Sequence, residues 1–375
     1  MDFELTDEQV MLRDTVRDLL ARTYDPETRL RVTDTELGWS RDVWKQLADL
    51  GILGLPFAES DGGVGAGPVE AMVVLEEVGR RLAPEPIVDA VYVPGALVAL
   101  AGSEEQRGRI LPDVVGGAKL LAFAHAEPGV RWPATELATA ATATAGSYTL
   151  TGTKNPVAHG DAADDLIVSA TLPGGGIGLF LVSPNGTGVG RRSYRTVDGS
   201  RAAQIDLDNA PAELLGADSD ASGAVAAALA SAHALLCAEQ IGAMEEALRL
   251  TTDYLKARKQ FGVTLSKFQT LTQRAANMYV SLELARSSSL YATAALADGS
   301  VDPVVTSRAR LQVGRAARHV GQEAIQMHGG IGVTAEYPVG HYVARLTAIE
   351  RTLGGGLDHL AVLAAQVGDY ELPEL

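Results

Sequence analysis

The period of the hydrophobic pattern changes twice along this 375-residue chain. In residues 1–115 and again in residues 221–375, apolar side chains recur at the spacing of an amphipathic helix. Between them, residues 116–220 form short β-type runs separated by turn residues such as those at 173–176. The pattern predicts an α+β fold with an N-terminal α-helical domain, a middle antiparallel β-barrel or sandwich domain and a C-terminal four-helix bundle.

Start and stop signals support the helical interpretation of the first segment. Thr6 followed by Gln9 is the pattern of a capping box, in which each side chain binds the other residue's backbone. A second helix over residues 41–50 is expected to end at Gly51, because glycine is favoured just past a helix C-terminus. After a loop rich in glycine, Pro68 begins another helix.

The C-terminal segment contains four long stretches of helical period, and these stretches cover residues 225–256, 267–298, 303–327 and a last stretch after Gly356. The most apolar window, residues 221–238, is rich in alanine but is interrupted by Ser231 and His233. That composition predicts a buried helix and no membrane span.

Charge and cysteine content argue against several functions. Lys and Arg number 31 against 47 Asp and Glu, and the net charge of −16 makes nucleic acid an unfavourable partner. The single cysteine, Cys237, allows no disulfide framework within the chain and no zinc cluster, so no metal site is predicted. The first 20 residues are acidic and lack the apolar core of a signal peptide. We therefore expect a cytoplasmic protein without a membrane partner.

Two turns in the C-terminal segment are candidate binding sites. In the first, an arginine and aromatic residues lie between two helices, where a guanidinium can bind a pyrophosphate and a ring can cover an adenine; these are Arg258, Phe261, Phe268 and Gln269. In the second, Gln326 precedes a turn of bare backbone at Gly329 and Gly330. On spacing alone, a plain helix–turn–helix connector is equally open for the first turn, and a glycine C-cap is favoured for the second.

Five segments in order resemble the acyl-CoA dehydrogenase family: LGILGLPFAESDGGVG, EPG, GTK…ADD, R-x-x-FG…FQ and Q-x-HGG-x-G-x-T-x-E-x-P. The resemblance covers nearly the whole chain and implies an α, β, α protomer that uses FAD and an acyl-CoA substrate. It implies that Arg258 pairs with the FAD pyrophosphate, that Phe261, Phe268 and Gln269 line that site, and that Gln326, Gly329 and Gly330 meet the adenosine half. The adenosine end belongs to a neighbouring protomer's FAD, which implies a dimer or tetramer. Electron-transfer flavoprotein is the implied redox partner.

The sequence departs from this family where the reaction needs a base. The family removes the α-proton of the thioester with a carboxylate, most often the Glu of a Glu-Gly-Thr motif after the HGG turn. Here Leu353 takes that place, and the alternative position early in the first bundle helix aligns with Ala232. Hydroxyls expected to bond the flavin ring are also missing, because Ala126 precedes Glu-Pro and Ala158 follows Gly-x-Lys.

Four residues remain as replacements for these lost groups. Glu239 lies two helical turns after Ala232, and Glu350 lies one turn before Leu353, but both are expected to be surface or inter-helix carboxylates. His125 and His159 fall near the implied flavin ring, where they can act as donors, although solvent-facing strand histidines are the expected form. The catalytic residue therefore stays unknown.

These losses resemble the non-catalytic subunit of heterotetrameric acyl-CoA dehydrogenases that act on sterol side chains. The leading hypothesis is a flavoprotein subunit that completes a partner's FAD site. One alternative is a self-sufficient homo-oligomeric dehydrogenase with a relocated base such as Glu239. Another is a non-catalytic subunit that binds acyl-CoA or FAD without turnover. Acyl chain specificity stays open.

Overall fold

The structure is a computed structural model that describes residues 4–144, 146–217 and 220–369. The chain divides into two compact units. We call one the bundle unit, which comprises Met1–Arg29, Met72–Ala83 and His233–Leu375. We call the other the barrel unit, which comprises Leu30–Ala71 and Pro84–Ala232.

Helices and strands follow one another in the predicted order. The first helices are α1 (Asp7–Thr23), α2 (Pro26–Asp34), α3 (Arg41–Asp49), α4 (Pro68–Arg81), α5 (Val93–Ala101) and α6 (Glu104–Val115). The strands are β1 (Leu121–Ala124), β2 (Ala140–Thr144), β3 (Ser147–Ala158), β4 (Asp165–Thr171), β5 (Ile177–Val182), β6 (Val189–Arg195) and β7 (Arg201–Leu214). The last elements are α7 (Ser222–Ala257), β8 (Lys259–Gln260), β9 (Val263–Thr264), α8 (Gln269–Ala297), α9 (Pro303–His328), α10 (Val339–Arg351) and α11 (Gly356–Ala365).

The strand pairings of the barrel unit close into a ring, in which β4 pairs with β5, β5 with β7, β7 with β3, β3 with β2, and β2 with β4. The ring encloses a core that includes Leu150, Val168 and Ile205. The pairing is not purely antiparallel as predicted, because β1 and β2 each run parallel to β4. Strand alternation reveals which face is buried but not the direction of a neighbouring strand.

The bundle unit places α7, α8, α9 and α10 around a common apolar core. The sequence predicted that the fourth helix of the bundle begins after Gly356. In the structure, the fourth helix of this core is α10, which contributes Tyr342 and Leu346, and the segment after Gly356 forms the shorter helix α11. α4 crosses α7 in direct backbone contact: a Cβ on Gly79 would lie 1.9 Å from the Glu239 carbonyl oxygen. Only glycine permits so close a crossing.

Local signals predicted from the sequence are present. Thr6 and Gln9 form both bonds of the capping box, and Gly51 adopts a φ of 74° after α3. Within the described residues, α7 is the one helix long and apolar enough to cross a membrane, and 78% of its most apolar window is buried. The α+β fold class is confirmed, whereas the domain boundaries near residues 115 and 220 stay a prediction.

Candidate active site

The turn after α7 holds the first group of candidate residues. The backbone N–H of Arg258 donates to the Tyr254 carbonyl at 2.8 Å, and the Arg258 carbonyl accepts from Leu265 N at 2.9 Å. These bonds close the β8–β9 hairpin and leave the Arg258 side chain exposed at its base. No carboxylate of the described ranges forms an ion pair with this guanidinium, so its planar fork is available to a phosphate.

The tip of the hairpin presents an aromatic ring to solvent. Phe261 is 91% exposed, and its φ of 52° lies in the left-handed region that phenylalanine rarely adopts. Its ring lies 6.2 Å from the ring of Phe268, nearly perpendicular to it. Phe268 precedes α8, and Gln269 is the exposed first residue of that helix. A strained, exposed ring of this kind is typical of a surface that a planar ligand or another protein covers.

The turn after α9 holds the other candidate residues. Gln326 is exposed on the last turn of the helix, and a Cβ added at Gly329 or Gly330 would meet no atom within 4 Å. The ring of His328 lies 4.5 Å from the ring of Tyr254, so the C-terminal ends of α7 and α9 are neighbours. All seven predicted residues therefore lie on two adjacent turns of the bundle unit; that these residues bind FAD stays a prediction.

The turn between α10 and α11 contains the position where the base was expected. Leu353 occupies it with a left-handed φ of 54°. Its carbonyl oxygen lies 2.9 Å from Nε2 of His233, which is buried on α7. Ala232 is the preceding residue of α7 and is fully buried. Neither expected position offers a group that accepts a proton.

A buried arginine fixes the same turn. Arg310 on α9 donates to the carbonyls of Ile349 at 2.8 Å and Thr352 at 2.9 Å, and it also contacts the Gln240 side chain at 3.1 Å. The last carbonyls of a helix have no partners within it and carry the negative end of the helix dipole. The C-terminus of α10 therefore compensates the guanidinium charge, while burial lowers the pKa of Arg310.

A second imidazole completes this cluster. His359 on α11 is buried, contacts the Ser307 hydroxyl through Nδ1 at 3.2 Å, and meets the His233 ring edge-on at 4.9 Å. Burial and the nearby Arg310 charge lower the pKa of His359 to about 4 and that of His233 well below its usual value. Both rings are therefore neutral at pH 7. Sequence analysis missed this cluster because its members come from separate helices and form no motif.

The two residual carboxylates are both held by arginines between helices. Glu239 on α7 is 2% exposed and accepts from Arg345 Nε on α10 at 2.6 Å. Glu350 accepts from Arg318 at 3.2 Å and Arg351 at 3.0 Å. These contacts match the inter-helix role expected from the sequence. In both cases an arginine already occupies a carboxylate oxygen that a substrate proton would have to reach.

In the barrel unit, the EPG and GTK segments meet in a buried ion pair. Lys154 Nζ lies 2.7 Å from Glu127 Oε1, and both side chains are almost fully buried. Glu127 also accepts from the backbone N–H groups of Ala138 and Thr139 at 2.7 and 2.9 Å. These bonds lower the pKa of Glu127 to about 2 despite its burial, whereas burial lowers the pKa of Lys154 to about 8. The sequence did not predict this ion pair, because its two members lie 27 residues apart.

The expectation that His125 and His159 face solvent is wrong. Both are buried, and His125 packs flat on Phe123 at 5.0 Å while its Nδ1 contacts the Ser169 hydroxyl at 2.8 Å. Burial, with the nearby Lys154 charge, lowers the pKa of His125 to about 4. The strand pattern could not show this, because Ser169 lies 44 residues away.

These observations test the fit of FAD to the chain. The open Arg258 fork and the bare Gly329 and Gly330 backbone suit a dinucleotide's pyrophosphate and adenosine. In the barrel unit, a 2.8 Å bond from Asn155 N to the Ala126 carbonyl joins the two segments expected at the flavin ring. Ala126 and Ala158 offer no side-chain hydroxyl there. The turns of the bundle unit suit the nucleotide part of FAD, whereas the two segments of the barrel unit offer a flavin ring backbone groups and buried histidines.

The fold defines a protein of helix–barrel–helix type, and comparisons with known proteins identify its family. Residues 6–118 match the acyl-CoA dehydrogenase N-terminal domain and residues 223–362 the C-terminal domain. The acyl-CoA dehydrogenase FadE28 of Mycobacterium tuberculosis is 31% identical over 98% of this chain and 99% of its own length. A variant of the steroid ACAD Tcur3481–Tcur3483 is 32% identical, with a TM-score of 0.90 over 97% of this chain and 98% of that chain. The ChsE4–ChsE5 complex from Mycobacterium tuberculosis is 26% identical, with a TM-score of 0.91 over 99% and 100%.

This chain belongs to the acyl-CoA dehydrogenase family. It is an oxidoreductase of the type that acts on acyl-CoA thioesters, and FAD is the cofactor of that family. The resemblance to this family inferred from sequence motifs is thereby confirmed.

Proposed function

We propose that this chain is a subunit of a hetero-oligomeric acyl-CoA dehydrogenase, that it completes the FAD site of a base-bearing partner, and that it does not itself remove the substrate proton. The observation that carries the proposal is the pair Leu353 and Ala232. Both positions from which the family takes its base hold hydrocarbon side chains, which cannot accept a proton.

The surroundings of Leu353 support this assignment. His233 and Arg310 already bind the carbonyls of the turn, so the turn is fixed without a carboxylate. The nearest acidic candidates, Glu239 and Glu350, each pair with an arginine. A relocated base would have to break one of these ion pairs before it could reach a substrate, and a buried pair is costly to break.

The chain's own contribution comes from the two turns at the ends of α7 and α9. The Arg258 fork binds the pyrophosphate of the partner's FAD, the exposed Phe261 ring covers its adenine, and the open Gly329 backbone lets the nucleotide approach closely. A bound FAD would supply the acceptor for the hydride that leaves the β-carbon of the acyl chain. A cofactor bound jointly by two chains makes the oligomer necessary for activity.

The comparisons also guide the choice of substrate and partner. Similarity to a steroid ACAD and to the ChsE4–ChsE5 complex supports a sterol side-chain thioester as the acyl-CoA substrate and a homologous subunit as the partner. We assign electron-transfer flavoprotein as the electron acceptor and the cytoplasm as the location, in line with the sequence-based expectation.

The test is to purify the chain alone and together with a base-bearing homologous subunit, each with added FAD. Flavin absorbance, native mass and dehydrogenation of a panel of acyl-CoA thioesters are measured. We expect a chain that is inactive alone and an active, yellow complex. Turnover by the lone chain that Glu239→Gln abolishes would establish the relocated base instead. A colourless protein in every pairing would establish the non-catalytic binding subunit.

Arg258 provides the sharper measurement within the complex. Arg258→Ala removes a charge-assisted contact, and we expect FAD affinity to fall roughly 10- to 100-fold. The matched control is Arg315→Ala, because Arg315 is an exposed arginine of the same unit on α9. Equal FAD affinity in the Arg258 variant and the unchanged complex would remove the proposed cofactor role of the hairpin.

A further inference from the structure

A group of charged side chains joins four helices within the bundle unit. Its members come from α1, α4, α7 and α8, and we call them the four-helix ion cluster: Arg17, Glu76, Glu77, Arg80, Glu245, Glu283 and Arg286. Four of these side chains are carboxylates and three are guanidiniums. The cluster therefore contains one more negative group than positive groups when every member is ionised.

The three guanidiniums make their shortest contacts with only two of the carboxylates. Arg17 and Arg80 both bind Glu77, which is 1% exposed, at 2.7 and 3.1 Å. Arg80 also lies 2.9 Å from Glu245, and Arg286 lies 3.0 Å from the same carboxylate. The positive charge of the cluster is thus already shared between Glu77 and Glu245.

Glu76 is the carboxylate left without a close cation. Its ion pair within the described residues is to Arg286 at 3.6 Å, and that arginine lies closer to Glu245. Glu283 lies equally far from Arg286, but its side chain is 43% exposed and water can solvate it, whereas the Glu76 side chain is only 19% exposed. A carboxylate withdrawn from water without a close cation is costly to ionise, and a bound proton removes that cost.

The backbone contact between α4 and α7 holds Glu76 in this position. A Cβ on Gly242 would lie 1.8 Å from the Glu76 carbonyl oxygen, so the two helices touch at this residue. Glu245 is one helical turn beyond Gly242 on the same face of α7. Glu76 therefore cannot move away from the Glu245 charge unless the helices separate. Burial, and after it the Glu245 charge, raises the pKa of Glu76 from 4.5 to about 7, although Arg286 acts in the opposite direction.

We propose that Glu76 is a proton switch that controls how firmly α4 is held in the bundle unit. In weak acid the folded chain keeps the Glu76 carboxyl neutral, and as pH rises the carboxyl releases its proton to solvent and the contacts of α4 with α7 and α8 weaken. The charged groups that face the switch are Arg17 and, beyond it, Asp14 of α1, Glu77 and Arg80 of α4, Glu245 of α7, and Glu283 and Arg286 of α8. The proposal is independent of the FAD role of Arg258.

Glu76→Gln tests the switch, because glutamine has the shape of the neutral carboxyl and does not ionise. The folded-state pKa lies above the unfolded one, so the stabilisation by neutral Glu76 is complete below pH 4.5 and is lost as pH rises through about 7. Urea unfolding at about pH 5.5 and about pH 8 compares the variant with the unsubstituted chain. The unfolding equilibrium constant of the variant, relative to that of the unsubstituted chain, should fall at least about tenfold between these two pH values.

The matched control is Glu8→Gln, because Glu8 is an exposed glutamate of α1 outside the cluster. Its unfolding constant relative to the unsubstituted chain should be the same at both pH values. A ratio for Glu76→Gln that is equally independent of pH would overturn the proposal.

Infrared difference spectra of the folded chain detect the proton itself. The C=O band of a protonated carboxyl should disappear as pH rises, with a midpoint near pH 7, and Glu76→Gln should lack this titrating band. Glu245→Gln removes the neighbouring negative charge and frees Arg286 for Glu76, so the midpoint should move to lower pH. A midpoint that Glu245→Gln leaves unchanged, or the same titrating band in Glu76→Gln, would contradict the assignment.

Hydrogen exchange measures the attachment of α4. Protection of the α4 amides, corrected for the intrinsic pH dependence of exchange, should fall at least about tenfold between about pH 5.5 and about pH 8 in the unsubstituted chain. In Glu76→Gln the protection should stay constant. Equal changes in the two proteins would show that ionisation of Glu76 does not loosen α4.

Discussion

His233 Nε2 lies 2.9 Å from the carbonyl oxygen of Leu353. This bond connects α7 to the α10–α11 turn. Leu353 and Ala232 are the two positions where a base was expected; Leu353 accepts the bond, and Ala232 directly precedes the histidine that makes it. Arg310 binds the carbonyls of Ile349 and Thr352 in the same segment. Neutral imidazoles and a buried guanidinium thus stabilise the turn at which the family resemblance predicted a carboxylate.

The buried imidazoles predict a loss of stability in mild acid. The pKa of His359 falls from 6.5 to about 4 on folding, because burial and Arg310 disfavour the charged ring. Its folded-state pKa is depressed, so the unfolded chain binds the proton more tightly. Neutral His359 stabilises the fold fully above pH 6.5, and this stabilisation is lost as pH falls to about 4. The total loss of unfolding free energy is at most roughly 3 kcal/mol.

Urea unfolding between pH 4 and 7 measures the slope of the unfolding free energy against pH. His359→Gln should make that slope shallower, because glutamine does not titrate. His341→Gln is the control, since His341 on α10 lies outside the cluster and bonds the Ala335 carbonyl. A slope of the His359 variant that matches the unsubstituted chain would refute the assignment.

Arg345→Ala should strongly destabilise the bundle unit. It leaves the Glu239 carboxylate, which is 2% exposed, without its guanidinium partner. Breaking a buried pair from one side costs about 3–5 kcal/mol. The double variant Arg345→Ala with Glu239→Gln should recover part of that loss because no buried charge remains. Free energies of unfolding in a double-mutant cycle measure the recovery, and additive losses would show that the two side chains are not coupled.

The α4–α7 crossing predicts opposite effects for two glycines. Gly79→Ala places a Cβ 1.9 Å from the Glu239 carbonyl, and the helices must separate, so we expect a loss of about 3 kcal/mol or more. Gly223→Ala, in the first turn of α7, meets no atom within 4 Å and should be neutral or stabilise by up to about 1 kcal/mol. Thermal unfolding of both variants decides this, and equal losses would contradict the close crossing.

Sequence rules succeeded where the cause of a structure is local. The capping box at Thr6 and the glycine end of α3 at Gly51 depend on residues within one helical turn. The change from helical to strand period correctly predicted the fold class. The sequence did not predict the direction of the strands, because the parallel pairing of β1 with β4 joins residues more than 40 positions apart.

The candidate site shows the same division. The turns at Arg258 and Gly329 follow from glycine, aromatic and helix-end signals in the sequence. The burial of His125, the Lys154–Glu127 pair and the Arg310 cluster do not, because each depends on which strands and helices become neighbours. The partners of Arg310 lie 39 to 70 residues from it in sequence. The absence of a carboxylate at the expected position is a prediction from resemblance, whereas the bond between His233 and the Leu353 carbonyl required the coordinates.

The Lys154–Glu127 pair predicts a pH-dependent defect in the barrel unit. Lys154→Met leaves Glu127 buried and charged, and removal of one partner costs about 3–5 kcal/mol near neutral pH. In the unsubstituted chain the pKa of Glu127 is lowered from 4.5 to about 2, so its stabilisation is present above pH 4.5 and is lost as pH falls to about 2.

In the variant, protonation relieves the uncompensated charge, so its deficit relative to the unsubstituted chain should shrink as pH falls below about 4.5. Lys154→Met combined with Glu127→Gln should lose less than Lys154→Met alone at pH 7, because glutamine still accepts a bond from Ala138 N or Thr139 N. Unfolding free energies of the three proteins at pH 7 and pH 4 measure both effects. A deficit that stays constant with pH would show that the carboxylate charge is not what Lys154 compensates.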